Sequence, residues 1–191
     1  MFVKPYAIPH DWRRCLTIDY GLDMLAALWI AQSPDGHSVV YRELYRPGLI
    51  ISDAAAQILA CETAGERIDC RLAPPDLWNR RQETGRSAVE LFADSGLDFV
   101  KSSNERVAGW LALHELLMPR KHTDGAVRPR LTIFDTCRNL IRTLPALQHD
   151  KRNPSDTANT PHELTHAPDA LRGYAATVYE PVKAVPQSAY D

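Results

Sequence analysis

Long apolar runs are missing from this sequence. No stretch approaches the roughly 20 residues that cross a bilayer. The opening "MFVKPYAIPHDW" sets prolines and charge where a secretion signal needs an uninterrupted apolar segment. Closely spaced cysteines are missing too. The chain holds 4, Cys15, Cys61, Cys70 and Cys137, none two or three residues apart, so neither a zinc knuckle nor a redox motif is written into the spacing. Three of them lie in apolar stretches and read as small core residues. There is no Gly-x-x-x-x-Gly-Lys-Ser/Thr, the loop that cradles nucleotide phosphates, and there are no internal repeats. No excess of one charge is present either: the formal net charge is −2. That excludes attachment to nucleic acid by bulk charge, but not by local basic residues set around an acidic centre. A soluble, intracellular protein is the expectation.

What is present is enough for one domain with a real core. The 191 residues are 45% hydrophobic and 24% charged, an ordinary globular balance. Residues 14–20 and 24–32 read as strands. "SPDG" at 33–36 is a strong turn, and "HSVVYRELYR" is a β-rich run, so the chain opens with a three-stranded meander. Ser52 is expected to cap a helix that runs to Gly65. A strand over 67–73, a loop, a helix ending at Gly96 and a short strand from 97 follow. Asn104 is expected to cap an amphipathic helix carrying Val107, Leu111 and Leu117. Residues 119–130 read as a mobile basic loop, 130–134 as a strand, and Asp135 as the start of a helix. Residues 145–163 read as a polar loop. A last helix begins near Glu163, with Pro168 a possible restart point, and 182–191 form a tail after a domain spanning 1–181. The order βββ-α-β-α-β-α-β-α-α predicts an α/β fold of the ribonuclease-H-like kind: a mixed sheet, antiparallel meander plus parallel strands, with helices on both faces.

Such an order places the first strand centrally, beside the fourth, and gathers ligand-binding groups at strand ends. The sequence supplies an acid at each relevant place. Asp19 ends the apolar "CLTID", Asp76 follows "RLAPP", and Asp169 lies in "HAPDALRGYA". Alone, Asp19 reads as a turn acid, and Asp76 and Asp169 as helix caps. Together they would repel one another, and two divalent cations about 3.5–4 Å apart would relieve that while holding a phosphodiester. Carboxylate oxygens suit Mg2+ or Mn2+. His166, three residues before Asp169, shares its helix face and could act as ligand or proton donor, whereas His162 and His166 taken alone read as solvated. Asp69 competes with Asp76 for the second acid, but lies inside its strand rather than beyond its end. Local basic residues, Arg80, Arg81, Arg86, Arg120, Lys121, Arg128 and Arg130, are candidate contacts to a phosphate backbone.

The stretches "IDYGLDMLAALW", "SVVYRELYRPG", "PPDLWNRRQETGRSAVELFADSGLDFVKSSNERVAGW", "FDTCRNLIRTLPALQHDKRNPSDT" and "HELTHAPDALRGYA" carry a resemblance. Together they resemble the C-terminal nuclease domain of phage terminase large subunits over nearly the whole chain. The resemblance implies a ribonuclease-H-like fold and a metal-dependent endonuclease acting on double-stranded DNA during genome packaging, in the host cytoplasm. It implies Asp19 and Asp169 as metal ligands and His166 beside them. Many terminases carry Asp-Pro at the second acid, where this chain has "APPDLW"; Pro74 stands in that register and the role passes to Asp76. Full terminases also carry an ATPase, so this chain is expected to be an excised or partial product that cuts without pumping. Its partners would be an ATPase motor domain, the small subunit and the portal. Two other readings remain: a catalytically weak DNA-binding and assembly module left in a prophage, and a resolvase-like nuclease on branched DNA.

Overall fold

The structure, a computed structural model, describes residues 2–178 apart from 22, 83, 123 and 124. The proposed boundary at 181 and the tail lie outside the described residues. In chain order the elements are β1 (Phe2–Val3), β2 (Arg13–Tyr20), β3 (Met24–Gln32), β4 (Ser38–Pro47), α1 (Ile51–Cys61), β5 (Cys70–Ala73), α2 (Ala88–Asp94) and β6 (Val100–Lys101). Then come α3 (Arg106–Leu117), β7 (Arg120–Lys121), β8 (Val127–Arg128), β9 (Leu131–Phe134), α4 (Arg138–Thr143) and α5 (His166–Val178).

Strand alternation builds two cores, one on each face of a 7-stranded sheet of order β1-β9-β4-β3-β2-β5-β6. Leu16, Ile18, Leu25 and Trp29 turn to the face covered by α1 and α2, where they meet Ile58 and Phe92. Cys15, Leu28 and Ile30 turn to the other face and meet Leu113, Leu140 and Leu171 of α3, α4 and α5. β2, β3 and β4 form the antiparallel meander, while β5 joins β2 and β9 joins β4 in parallel. The ribonuclease-H-like mixed sheet read from the element order is the one present.

The element ends differ from expectation, mostly because tertiary partners replace local ones. α1 starts at Ile51, without a side-chain cap from Ser52, because Ile51 is drawn into the core. It stops at Cys61, since the Glu66 carboxylate turns back to accept from Thr63 N (3.1 Å), Tyr41 Oη (2.8 Å) and Arg42 Nη1 (2.8 Å). Asn104 does not cap α3, whose first residue follows Glu105. Asp135 does not start α4; its amide bonds the Val3 carbonyl across to β1, a strand the sequence reading missed. The N-terminus of α4 is instead held by Glu43 of β4, which accepts from the amides of Asn139 (3.0 Å) and Leu140 (2.7 Å). The described part of 119–130 is a two-stranded hairpin, β7 with β8, rather than a loop. Pro168 does not restart α5: it sits in the first turn, where an amide has no helical partner to lose.

Candidate active site

Asp19 is aimed by the alternation of β2. Cys15, Thr17 and Asp19 share one face, so a strand that buries Leu16 and Ile18 on one side delivers a carboxylate on the other. That other side carries α5. Thr17 Oγ1 donates to the Ala170 carbonyl (2.9 Å), and two strand residues further on His166 Nδ1 meets Asp19 Oδ2 at 2.8 Å. Helix and strand keep step because two strand residues advance about 6.6 Å and four helical residues about 6 Å. Gly173, near Ala170, lets α5 approach the segment after β6: a Cβ there would stand 3.3 Å from Ser102 Oγ.

The acids expected at the strand ends lie at one end of the sheet. β5 runs parallel to β2 and ends at Ala73, and Asp76 follows in a 3-10 turn, Pro75–Trp78. Burial raises the Asp19 pKa, the negative charges of Asp169 and Asp76 raise it further, and His166 works against both by hydrogen bonding and charge. Asp69 lies at the opposite end of β5, where Oδ2 accepts from Arg14 N (2.9 Å) and Oδ1 pairs with Arg67 Nε (2.8 Å).

Several participants escaped the sequence reading. Asp169 Oδ1 is held at 3.0 Å by both Arg106 Nη1 and Arg172 Nε. Arg106 also grips Asp156 (3.1 Å to Oδ2), and Asp156 Oδ1 accepts from Trp110 Nε1 (2.9 Å). This network ties the 145–163 segment to α3 and α5. The links from Arg106 to Asp156 and Asp169 span 50 and 63 residues, with no spacing signal to find them, whereas Arg172 stands three residues after Asp169 on the same helix face. Arg172 is buried, and its Nη1 has no hydrogen-bond partner among the described residues.

Asp23 and His162 were also missed, although both left traces: Asp23 closes "IDYGLD", and His162 stands one helical turn before His166. Asp23 Oδ2 lies 3.0 Å from His162 Nδ1 and 3.2 Å from His166 Nε2. Burial would lower the His166 pKa, but its contact with Asp19 and the charges of Asp19 and Asp23 outweigh that and raise it. Among the described residues, Asp23, His162 and His166 are the one set of three ligand-type side chains whose donor atoms all fall within 4.8 Å of one another. Asp19, Asp76 and Asp169 are more widely spread.

The basic candidates divide into two groups. Arg80 and Arg86 sit beside α2, pairing with Glu90 (3.8 Å) and Asp94 (2.6 Å), and Arg81 lines a cavity of about 400 Å³ with Tyr20, at the acid end. Arg120, Lys121, Arg128 and Arg130 belong to the hairpin leading into β9, and Arg120 pairs with Glu115. The Arg130 carbonyl accepts from Ser38 N, and Ser38 neighbours Gln32, the partner of Arg13 at the start of β2. This group is therefore not brought to Asp19 but lies at the far end of the sheet, six β2 residues or about 20 Å away.

No family model and no curated protein matches the chain. Solved structures do. The large-terminase nuclease domain of phage P22 superposes with a TM-score of 0.70 at 16% identity, over 92% of this chain and 86% of that one. The nuclease domain of the SPP1 large terminase, solved with bound Mn, gives 0.58 at 15% identity, over 91% and 93%. The large terminase of a thermophilic bacteriophage, solved in complex with ADP, gives 0.69 at 13% identity; it is matched over 93% of this chain but only 42% of its own length. The fold is thus shared with phage large-terminase nuclease domains.

Proposed function

We propose that this chain is a divalent-metal-dependent endonuclease that cuts double-stranded DNA, the nuclease part of a phage packaging motor. The observation that carries this reading is Asp19: a carboxylate at the tip of a core strand, its ionisation opposed by burial first and then by Asp169 and Asp76, in a fold shared with terminase nuclease domains. The donor set fits hard ions, since carboxylates whose charges oppose one another gain from a cation between them. Asp19, Asp76 and Asp169 would hold Mg2+ or Mn2+, the ions named for the G20c and SPP1 nuclease structures. Bound there, the ions would polarise the phosphodiester and supply hydroxide at neutral pH. His166 orients Asp19 through Nδ1, and Arg106 and Arg172 fix Asp169. Arg80, Arg81 and Arg86 would meet backbone phosphates beside the cut, and Arg120, Lys121, Arg128 and Arg130 would meet them further along. An ATPase motor domain, a small subunit and a portal would be the partners, in the cytoplasm of the infected host.

Supercoiled plasmid incubated with manganese, magnesium or chelator tests the proposal. Nicked and linear products are expected with either metal, without ATP. Cleavage that survives chelation would overturn it. One observation favours a second reading. Asp169 is already paired with two guanidinium groups, as in a silent module that binds DNA and assembles without cutting. Binding of duplex DNA with no cleavage in either metal would select that reading, and preferential cutting of four-way junctions would point to a resolvase-like enzyme.

A further inference from the structure

The geometry points to a second, chemically different metal site beside the carboxylates: Asp23, His162 and His166 as the ligands of a nitrogen-preferring divalent ion of the zinc, cobalt or nickel kind. Three observations converge on it. The first is distance. Bonds of about 2.0–2.2 Å from a metal to imidazole nitrogen and carboxylate oxygen set neighbouring ligand atoms roughly 3.0–3.4 Å apart. Asp23 Oδ2 is 3.0 Å from His162 Nδ1 and 3.2 Å from His166 Nε2, and all three donor atoms lie within 4.8 Å. The second is orientation. The two imidazole rings stand edge-to-face, at 79° with centroids 4.5 Å apart, and each turns one nitrogen to the same Asp23 oxygen. The third lies behind the ligands. His166 turns Nδ1 to Asp19 at 2.8 Å, which leaves Nε2 toward Asp23. A ligating histidine whose other nitrogen donates to a carboxylate is the usual outer support of a metal site, because it fixes the tautomer and the ring.

Each ligand is rigidly supplied or freely available. His166 is buried at the start of α5, whereas Asp23 and His162 are more than half exposed and face solvent. Three protein ligands leave a coordination position open to water or to a phosphate oxygen. Two imidazoles and one carboxylate discriminate against magnesium, which prefers oxygen donors and keeps its waters, and follow the order in which later transition ions bind more tightly. The site does not depend on the nuclease reading, since ion binding is separate from phosphodiester cleavage.

Cobalt titrated into metal-free protein tests it, with visible absorption reporting nitrogen ligation and calorimetry with zinc reporting stoichiometry. With magnesium present to fill the carboxylates, wild-type protein should take up one cobalt ion with a ligand-field band. His162→Ala and Asp23→Asn should each weaken binding by at least about tenfold. Both positions are exposed, and an unchanged melting temperature will show that the variants fold. Asp169→Asn and Asp76→Asn should leave the band intact, and excess magnesium should not displace the cobalt. A band that persists in His162→Ala, disappears in Asp169→Asn, or yields to magnesium would overturn the assignment.

Discussion

At the scale of single residues, the question is what one carboxylate costs when no cation faces it. Asp19 is opposed by burial first and then by Asp169 and Asp76. Its folded-state pKa is raised, so its ionised form at neutral pH weighs against folding. Asp19→Asn should therefore raise the melting temperature in metal-free buffer and abolish cleavage. Manganese should then stabilise the wild type more than the variant, because ligand bound to the native state adds stability. Equal manganese-induced shifts would remove Asp19 from the ligands. The second acid separates in the same way. Asp76 follows the carboxyl end of β5, while Asp69 is engaged at the other end by Arg14 and Arg67. Asp76→Asn should abolish cleavage, and Asp69→Asn should leave it within about tenfold, roughly 1.4 kcal/mol of barrier. Plasmid assays on the two variants decide, and the reverse outcome would place the site at the wrong end of β5. Asp19, His166 and Asp169 were legible because each ends or opens an element whose periodicity the sequence displays. Arg106 and Asp156 were not, because links that join α3, α5 and the 145–163 segment leave no spacing of their own; Arg172, three residues after Asp169, did carry a helical spacing signal.

At the scale of elements, strands and helices were legible and their ends were not. Leu16 and Ile18 alternate with Thr17 and Asp19, and that alternation is in the sequence. That Glu43 on β4 would hold the start of α4, some 96 positions away, is not. Ser87 is the reverse case. It forms a reciprocal capping box with Glu90 that "SAVE" announces, and the helix reading passed over it. Glu66 shows how such long-range joints answer to pH. It binds Tyr41 and Arg42 on β4 and Thr63 after α1. Burial works to raise its pKa, but the bonds from Arg42, the Thr63 amide and Tyr41 outweigh it and lower the pKa. A lowered carboxylate pKa contributes stability above the unfolded value of 4.5, and that contribution is lost as pH falls through the folded value. Glu66→Gln should melt below the wild type at neutral pH. The gap should close as the buffer is taken below pH 4.5; a gap that stays constant in acid would remove Glu66 from the account.

At the scale of the whole molecule, the two ends of the sheet carry opposite chemistry: acids and histidines at one, a basic hairpin at the other. Strand order made the first legible. The second depends on β9 pairing parallel to β4, a long-range register that composition does not encode. Replacing Arg120, Lys121, Arg128 and Arg130 together with alanine should weaken duplex binding and flatten its dependence on salt, because fewer counterions are released. Titrations at several salt concentrations would show it, and an unchanged slope would return these side chains to a purely solvated role. The meshing of α5 with β2 has a different consequence, for how this chain can change in length. A residue inserted between His166 and Ala170 turns one contact about 100° away from the other, while the strand beneath holds its period. The hydroxyl of Thr17 and the carboxylate of Asp19 could then not both be met. The three residues between His166 and Ala170 are therefore fixed in number by the period of the strand beneath.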